Sequence, residues 1–454
     1  MTHTAAILDF AAAPHALPPA VRADALRLLA DTLAGGAAGA MSPQAALLLS
    51  AVRGWGQGGG ARLLSIKSPI RPELVGGRAD PARASTGAAQ PVLAGDSFPA
   101  PAAAFFNGFA FHCLEWDAVH EGAVVHALST ITAALLAVSD RMGGSDQEAF
   151  LTSLAVGVDI ASGIGLAATT PMRFFRPATA GVIGAALGAA RLEGLNRAQM
   201  ADVLGIACGF ASGTMQAHVE ASVTLPLQIA NAAHAAVVAV DLARAGMNGP
   251  RDPIEGPFGY AALIEPLDLA RYTATLGQVW RIGEVSTKPF PSGRASHGAL
   301  GALQDMALPI GDVANITLHA PPLVHRLVGR PYQADAPMSY NRLCLAFLAP
   351  LMLRDGHIDP RHDVSVAALA ERVEVVRDDN PDGNALAPQR LVVTMRDGTV
   401  VERVIAANLG SPDAPMSPAQ SAAKYDLCRA LARQADERIF DDPLAFATTP
   451  YSAP

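Results

Sequence analysis

Between Pro19 and about Ala270 the chain is rich in alanine and leucine, with apolar residues at helical spacing and short Gly or Pro breaks between segments. Val21–Ala34 predicts a helix with Leu26, Leu29 and Leu33 on one face and Gly35-Gly36 as its stop. The same signal predicts helices over Ser42–Arg53, Pro101–Trp116, Leu128–Arg141, Gln147–Gly165, Ala180–Leu192, Arg197–Gly209 and Leu227–Gly246. Small side chains let helix axes approach closely, so a multi-helix domain is expected.

After Arg271 the pattern changes. Val313–Leu318 alternates as a strand, Val373–Val376 and Arg390–Met395 are β-branched runs, and Asp397-Gly398 is a hairpin turn feeding Thr399–Ile405. Helical stretches at Ala295–Met306 and Met338–Leu353 lie between them, and helical spacing returns over Ser417–Ala435. The expected fold class is mainly α: a large all-helical domain over 1–270, with 411–454 packing back on it, and a smaller α+β domain over 271–410. The Pro/Ala-rich ends, Ala11–Ala20 and Ala445–Pro454, read as frayed or surface-draped.

Half of the 454 residues are hydrophobic and 16% are charged, enough to bury a large core, which excludes disorder as the main state. The 33 basic residues fall short of the 41 acidic ones and nowhere form a dense run, so nucleic acid is not an expected partner. Cys113, Cys208, Cys344 and Cys428 are widely spaced, which fits a reducing compartment and neither a disulfide framework nor a zinc ribbon. Met1–Phe10 carries Asp9 and no basic n-region, so no secretory signal is expected. Arg191, His234 and Asp241 interrupt the apolar stretches below spanning length, so no membrane partner is expected and a cytoplasmic location is. Gly54, Gly56 and Gly59 satisfy GxGxxG, but a helical stretch precedes them and the strand-like Ala61–Ile66 follows, the reverse of a dinucleotide fold. The sequence has no P-loop, HExxH or GxSxG signature, and no cofactor is expected.

Two segments concentrate chemistry. Asn107–His126 sets His112, Glu115, Asp117, His120, Glu121 and His126 in an otherwise uncharged neighbourhood. Imidazoles and carboxylates are the groups whose pKa values are tuned to move protons near neutral pH. In a helix ending near Trp116, His112 and Glu115 share a face as a local polar pair and Asp117 begins the loop. The spacing of His112, His120 and His126 matches no standard metal-ligand pattern, so no metal is expected. In Ser286–His297 two prolines, Pro289 and Pro291, pin the backbone beside Lys288, ahead of a helix that Ser292 or Ser296 can cap. Arg294 and His297 then fall near its first turn, where cations are unfavourable unless an anionic ligand or an acidic partner compensates them. Arg176, just before the apolar run at Gly181, and Arg342 are further candidate carboxylate grips, each with a structural pairing as the alternative.

Asn107–His126, Gly181–Leu195, Ala207–Met215 and Lys288-Pro-Phe-Pro with His297 resemble the MmgE/PrpD family, in order along nearly the whole chain and including a closing helix near Lys424. The resemblance implies a large helical domain, a smaller α+β lid, a homodimer, and a cofactor-free site between the domains that works on small carboxylates as dehydratase, decarboxylase or epimerase. Asp117, His126, Lys288 and His297 match the family pattern. Departures are Asp117-Ala118-Val119 for Asp-Asp-Thr, His126-Ala127 for His-Pro, Arg176 for a His, Leu225 for a Lys, and Arg342, close to Tyr340, for a Tyr.

The expectation is therefore a cofactor-independent lyase that abstracts a proton next to a carboxylate of a small di- or tricarboxylate. His126 serves as base or acid, Asp117 orients it, and Lys288 stabilises the enolate-like charge. Arg176, Arg294, His297 and Arg342 grip carboxylates, and His120 joins them or a proton relay. An epimerase needs the same first step and is the runner-up; a non-catalytic carboxylate-binding protein, favoured by Leu225 and Val119, is the alternative from another class.

Overall fold

The computed structural model describes residues 2–64, 97–361 and 367–451. In its N-terminal part, helices span Pro19–Ala40, Pro43–Gly54, Ala100–His112, Ala127–Arg141, Gln147–Ala167, Gly181–Leu192, Arg197–Gly209 and Thr224–Arg244. Ser42 and Asp146 cap two of them with their side chains, and Asn196 with Gln199 forms a capping box on a third. The Thr224–Arg244 helix packs along Ala100–His112 and Gly181–Leu192, and Gln147–Ala167 lies against the latter.

Gly35-Gly36 does not stop the first long helix, which runs on to Ala40. The glycines serve contact instead. A Cβ on Gly36 would meet the Phe111 ring at 2.2 Å, and one on Gly39 would lie 1.9 Å from the Ala110 carbonyl oxygen. Gly39→Ala is therefore expected to destabilise the protein by about 1–3 kcal/mol, because the obstacle is backbone rather than a side chain that can turn away. A urea midpoint equal to that of the parent protein would refute this.

Two helices, Gln147–Ala167 and Thr224–Arg244, are long and apolar enough to cross a membrane, which corrects the expectation that no apolar stretch reaches that length. In this fold 89% and 61% of their apolar windows are buried against neighbouring helices.

Among the described residues the strands, in chain order, are β1 (Ala61–Arg62), β2 (Ser97–Phe98), β3 (Val119–His120), β4 (Val285–Ser286), β5 (Val313–Ala320), β6 (Val373–Arg377), β7 (Gln389–Met395) and β8 (Val400–Ile405). The first two pair antiparallel; the rest of the predicted Ala61–Ile66 strand reaches beyond the described residues. The last four form one sheet in the order β6-β5-β7-β8, parallel only between β5 and β6. Its β7–β8 hairpin turns at Gly398, where φ is +87°. Helices His297–Met306 and Leu345–Asp355 pack against this sheet around a second core that includes Phe347, Leu318 and Leu391. The predicted Met338–Leu353 helix is split, into Met338–Asn341 and Leu345–Asp355.

Tyr272, Ile282 and Val285 pack in the core of the helices, while Phe290 packs in the second. The two-residue β3–β4 ladder, Val119 opposite Ser286 and His120 opposite Val285, ties the polar loop of the helical part to the segment that carries Lys288.

As far as Tyr451, the last described residue, the C-terminal tail is packed rather than frayed; the rest of the predicted Ala445–Pro454 end lies outside the described residues. Pro418–Leu431 lies against Pro19–Ala40, and Leu444, Phe446 and Ala447 sit in the helical core. Arg62 anchors this end: its backbone N–H and Nε each donate to Asp140 at 2.8 Å, and its Nη atoms donate to the carbonyls of Phe446 and Thr449.

Candidate active site

The helix Ala100–His112 ends on its histidine, four residues short of the predicted end at Trp116. The chain then turns through Glu115, whose φ is +55°, a conformation that costs a non-glycine residue about 1–3 kcal/mol. Three cations from distant parts of the chain hold this loop by its carbonyls. Arg342 Nη1 donates to Cys113 O at 3.0 Å, Lys288 Nζ to Glu115 O at 3.1 Å, and Lys424 Nζ to Trp116 O at 3.2 Å. Lys424 is itself paired with Asp31 at 2.6 Å.

The turn delivers Asp117 into the protein, where it becomes a hub. Its Oδ2 accepts from Ser129 Oγ at 2.5 Å and from His112 Nδ1 at 2.9 Å. His126 Nδ1 lies 3.0 Å from the same oxygen but out of line for a hydrogen bond. Lys288 Nζ stands 3.7 Å from Oδ1 and 3.3 Å from Glu115 Oε2. The rings of His112 and His126 meet edge to face, 4.8 Å between centroids. His112 is thus part of the centre rather than half of a pair with Glu115, whose Oε1 is 3.5 Å from His112 Nε2.

The electrostatics separate the two imidazoles. Burial opposes charge on Asp117, but His112, His126 and Lys288 outweigh it and hold its pKa well below the usual carboxylate range. Glu115 is held low in the same way, by His112, Lys288 and His126 acting against burial. At His112 burial also opposes charge, but Asp117 and Glu115 together raise the pKa above 6.5. At His126 burial wins, with Lys288 adding to it against Asp117, and the pKa falls below 6.5. The two imidazoles on one carboxylate are therefore pushed in opposite directions, His112 towards holding its proton and His126 towards the neutral ring.

Both rings, with Glu115, line a cavity of about 60 Å³ whose wall is otherwise largely apolar and includes Val119, Val124, Phe175 and Leu225. His218 also lines it, neutral because burial and Arg330 push its pKa down to about 4. A second cavity of about 50 Å³, bordered by Gln44, Ser339 and Arg342, shares His112, Glu115, Leu225 and Leu343 with the first.

The structure gathers His126, Asp117 and Lys288 within one cluster, with Lys288 fully buried against the carboxylates and not among the residues lining either cavity. Arg176 is corrected from carboxylate grip to structural cation: completely buried, it pairs with Glu265 through Nε and Nη2 and donates to Thr170 O. Its partner is neither Asp159 nor Glu220. Arg294 has found its acid within the chain, donating to Glu121 through Nε at 3.0 Å and Nη2 at 2.5 Å. His297 is buried off both cavities, its Nε2 near Ser292 Oγ at 3.1 Å. Neither predicted serine caps the following helix: Ser296 Oγ turns back to Gly293 O. His120 pairs with Glu284 at 2.9 Å on the far side of the β3 turn, also off both cavities. Arg342 does border the second cavity, and among the described residues its Nη atoms donate to the carbonyls of Cys113 and Pro360.

His112, Asp117 and His126 each offer one ligand atom within 4.8 Å of the others. The set does not suit a divalent ion, because the Lys288 ammonium already stands beside Asp117 and both Ser129 and His112 use its Oδ2.

A helical body, a C-terminal sheet and a buried His–Asp–Lys cluster at their junction define the class of protein. The chain belongs to the MmgE/PrpD family: the family's N-terminal domain matches residues 75–270 and its C-terminal domain residues 290–442. It is similar to human cis-aconitate decarboxylase, 27% identical over 331 residues, and to the mouse protein of the same name, 25% identical over 329 residues. Each match covers 66% of this chain and 66% of the relative, so the chain spans just under two thirds of their length. The cis-aconitate decarboxylase-like protein oryM of Aspergillus oryzae is 24% identical over 341 residues, 67% of this chain and 70% of that protein.

Proposed function

We propose that this chain is a cofactor-independent lyase that starts its reaction by removing a proton next to the carboxylate of a small organic acid. The observation that carries the reading is the pair of imidazoles on Asp117, lining one cavity and with their pKa values pushed in opposite directions. Such a split assigns the roles of base and acid. His126, neutral and with Nδ1 facing Asp117, takes the proton on Nε2, and Asp117 stabilises the imidazolium formed. His112, protonated, donates from Nε2 to the oxygen on which enolate charge develops, so the preorganised cation at the cavity is an imidazolium rather than the Lys288 ammonium. Lys288 keeps Glu115 and Asp117 ionised and in place. The decarboxylase names of the relatives support bond cleavage, rather than simple return of the proton, as the outcome.

Incubation with small carboxylic acids in D2O, followed by NMR of the substrate C–H signals, tests this. Exchange coupled to a decarboxylated or olefinic product is the expected result; exchange that persists undiminished in His126→Ala overturns the assignment of the base. Exchange without any new product would indicate the epimerase.

The same pair fixes a pH dependence. The base must be free, which holds above the depressed pKa of His126; the acid must be protonated, which holds below the raised pKa of His112. The kcat/KM profile is expected to be a bell whose acid limb lies below 6.5 and whose alkaline limb lies above it. A single limb centred on 6.5 would contradict it.

A further inference from the structure

Three imidazoles line the larger cavity, and His218 is the one that hydrogen-bonds to no acid among the described residues. It sits on a short helix, Gln216–Val219, and the C-terminal part of the chain holds this segment by two carbonyls. Arg330 Nη2 donates to His218 O at 2.9 Å, and Ser339 Oγ donates to Ala221 O at 2.7 Å. The same Nη2 stands 3.4 Å from His218 Nδ1, and the guanidinium is itself set over the Tyr340 ring, 4.8 Å from its centroid. That contact fixes the tautomer. A guanidinium has five N–H donors, no acceptor and no proton it can lose, so the ring nitrogen facing it must accept. Nδ1 therefore carries the lone pair, and the single proton of the neutral ring sits on Nε2. Nε2 has no hydrogen-bond partner among the described residues and is not sealed off, so an N–H of this cavity-lining ring is left to offer.

Arg330 pairs with no acid among the described residues, and its buried Nη1 has no partner there, so its charge is uncompensated where it meets the ring. Burial and Arg330 push the pKa of His218 down to about 4; Arg326 and His112 add to this, and Glu115 opposes it. Near neutral pH the ring is uncharged and does not compete with His126 for a substrate proton. The three rings thus differ by what stands behind them. Asp117, beside His112 and His126, favours their charged forms, whereas a cation behind His218 suppresses its basicity and strengthens its remaining N–H as a donor. A carboxylate next to the carbon that loses its proton gains charge on two oxygens, and His112 supplies a donor for one of them. The cavity measures about 60 Å³, so a carboxylate bound in it stands among all three rings.

We infer that His218 is a further catalytic residue, whose Nε2–H donates to the second oxygen of the substrate carboxylate as enolate charge builds there, and that Arg330 is the positioning residue that keeps the proton on Nε2. This rests on the proton-abstraction reading. Nitrogen-15 NMR of the full chain, with His218 assigned by its absence from His218→Leu, tests the donor without any turnover. A protonated Nε2 and a bare Nδ1 are expected near neutral pH, and acetate, the smallest acid with a C–H next to its carboxylate, is expected to shift the Nε2 proton downfield. Arg330→Met is expected to let the proton populate Nδ1 and to raise the pKa of the ring above about 4. In D2O, His218→Leu is expected to slow substrate C–H exchange by about 10²-fold, and His218→Gln, which returns an N–H close to the place of Nε2, to recover most of that loss. Circular dichroism establishes that the variants fold, and the spectra of the unaltered protein stand without them. A proton on Nδ1 in the unaltered protein, an Nε2 proton that acetate leaves unmoved, undiminished exchange in folded His218→Leu, or a His218→Gln no faster than His218→Leu overturns the inference. Absence of exchange in the unaltered protein with every acid would instead count against the proton-abstraction reading, and the tautomer and the acetate shift would then decide by themselves whether His218 is a carboxylate donor.

Discussion

Asp117→Asn is expected to lower the rate of substrate C–H exchange by about 10²–10⁴-fold while leaving the protein folded. The amide is nearly isosteric and can still accept from Ser129 and His112 through its oxygen, so the geometry of the hub survives. Its charge does not. Without it His112 loses the larger of the two attractions that raise its pKa, and burial then favours the neutral ring. His126 loses the main attraction that opposes burial and Lys288, which leaves the imidazolium formed on proton abstraction with only the Glu115 carboxylate as counter-charge. Acid and base fail together, and the alkaline limb of the pH profile moves to lower pH. Nitrogen-15 chemical shifts of the two imidazoles report the same change without any substrate. A loss below about tenfold, with the His112 titration unmoved, would remove Asp117 from the centre of the mechanism.

Arg62→Met is expected to have the largest effect on stability, about 3–5 kcal/mol. The Arg62–Asp140 pair is almost wholly buried, and the guanidinium also holds the carbonyls of Phe446 and Thr449 and lies 4.8 Å over the Phe446 ring. Methionine fills much of the same volume but leaves the Asp140 carboxylate alone in the core. Burial already raises the pKa of Asp140 above 3.8 even with Arg62 opposing it. With the arginine gone, burial acts nearly unopposed and the folded-state pKa rises further. The folded variant then binds a proton on Asp140 at pH values where the unfolded chain does not, so acidification stabilises the folded state relative to the unfolded one. The deficit against the parent protein is expected to be smaller at about pH 5 than near neutrality. Urea midpoints at the two pH values check the sign, and a deficit that grows on acidification would refute it.

The helices were legible because an apolar stripe at helical spacing is a local property: Arg197–Gly209 lies where the periodicity puts it, and its Asn196 cap is a signal of sequence. The strands of the C-terminal sheet were legible for the same reason, as period-two runs and an Asp-Gly turn. Gly35-Gly36 was misread because a glycine pair signals a helix stop only when nothing packs against it, and here Phe111, distant in sequence, fills the space that the missing side chains leave. Arg176 and Arg294 were misread because a charge in an apolar stretch announces that it needs a partner without saying which. Glu265 and Glu121 are brought to them by folding, at separations of 89 and 173 residues.

Sequence alone determined where the candidate groups sit, the imidazoles and carboxylates of Asn107–His126 and the lysine ahead of Pro289 and Pro291, with the family to which the chain belongs. Tertiary structure decided their roles. A positive-φ turn at Glu115, held by Arg342, Lys288 and Lys424, carries Asp117 to both rings, and burial with unequal neighbours shifts their pKa values in opposite directions, the basis of the proposed acid and base. Burial and the position of opposite charges fix a protonation state, and neither exists until the chain has folded.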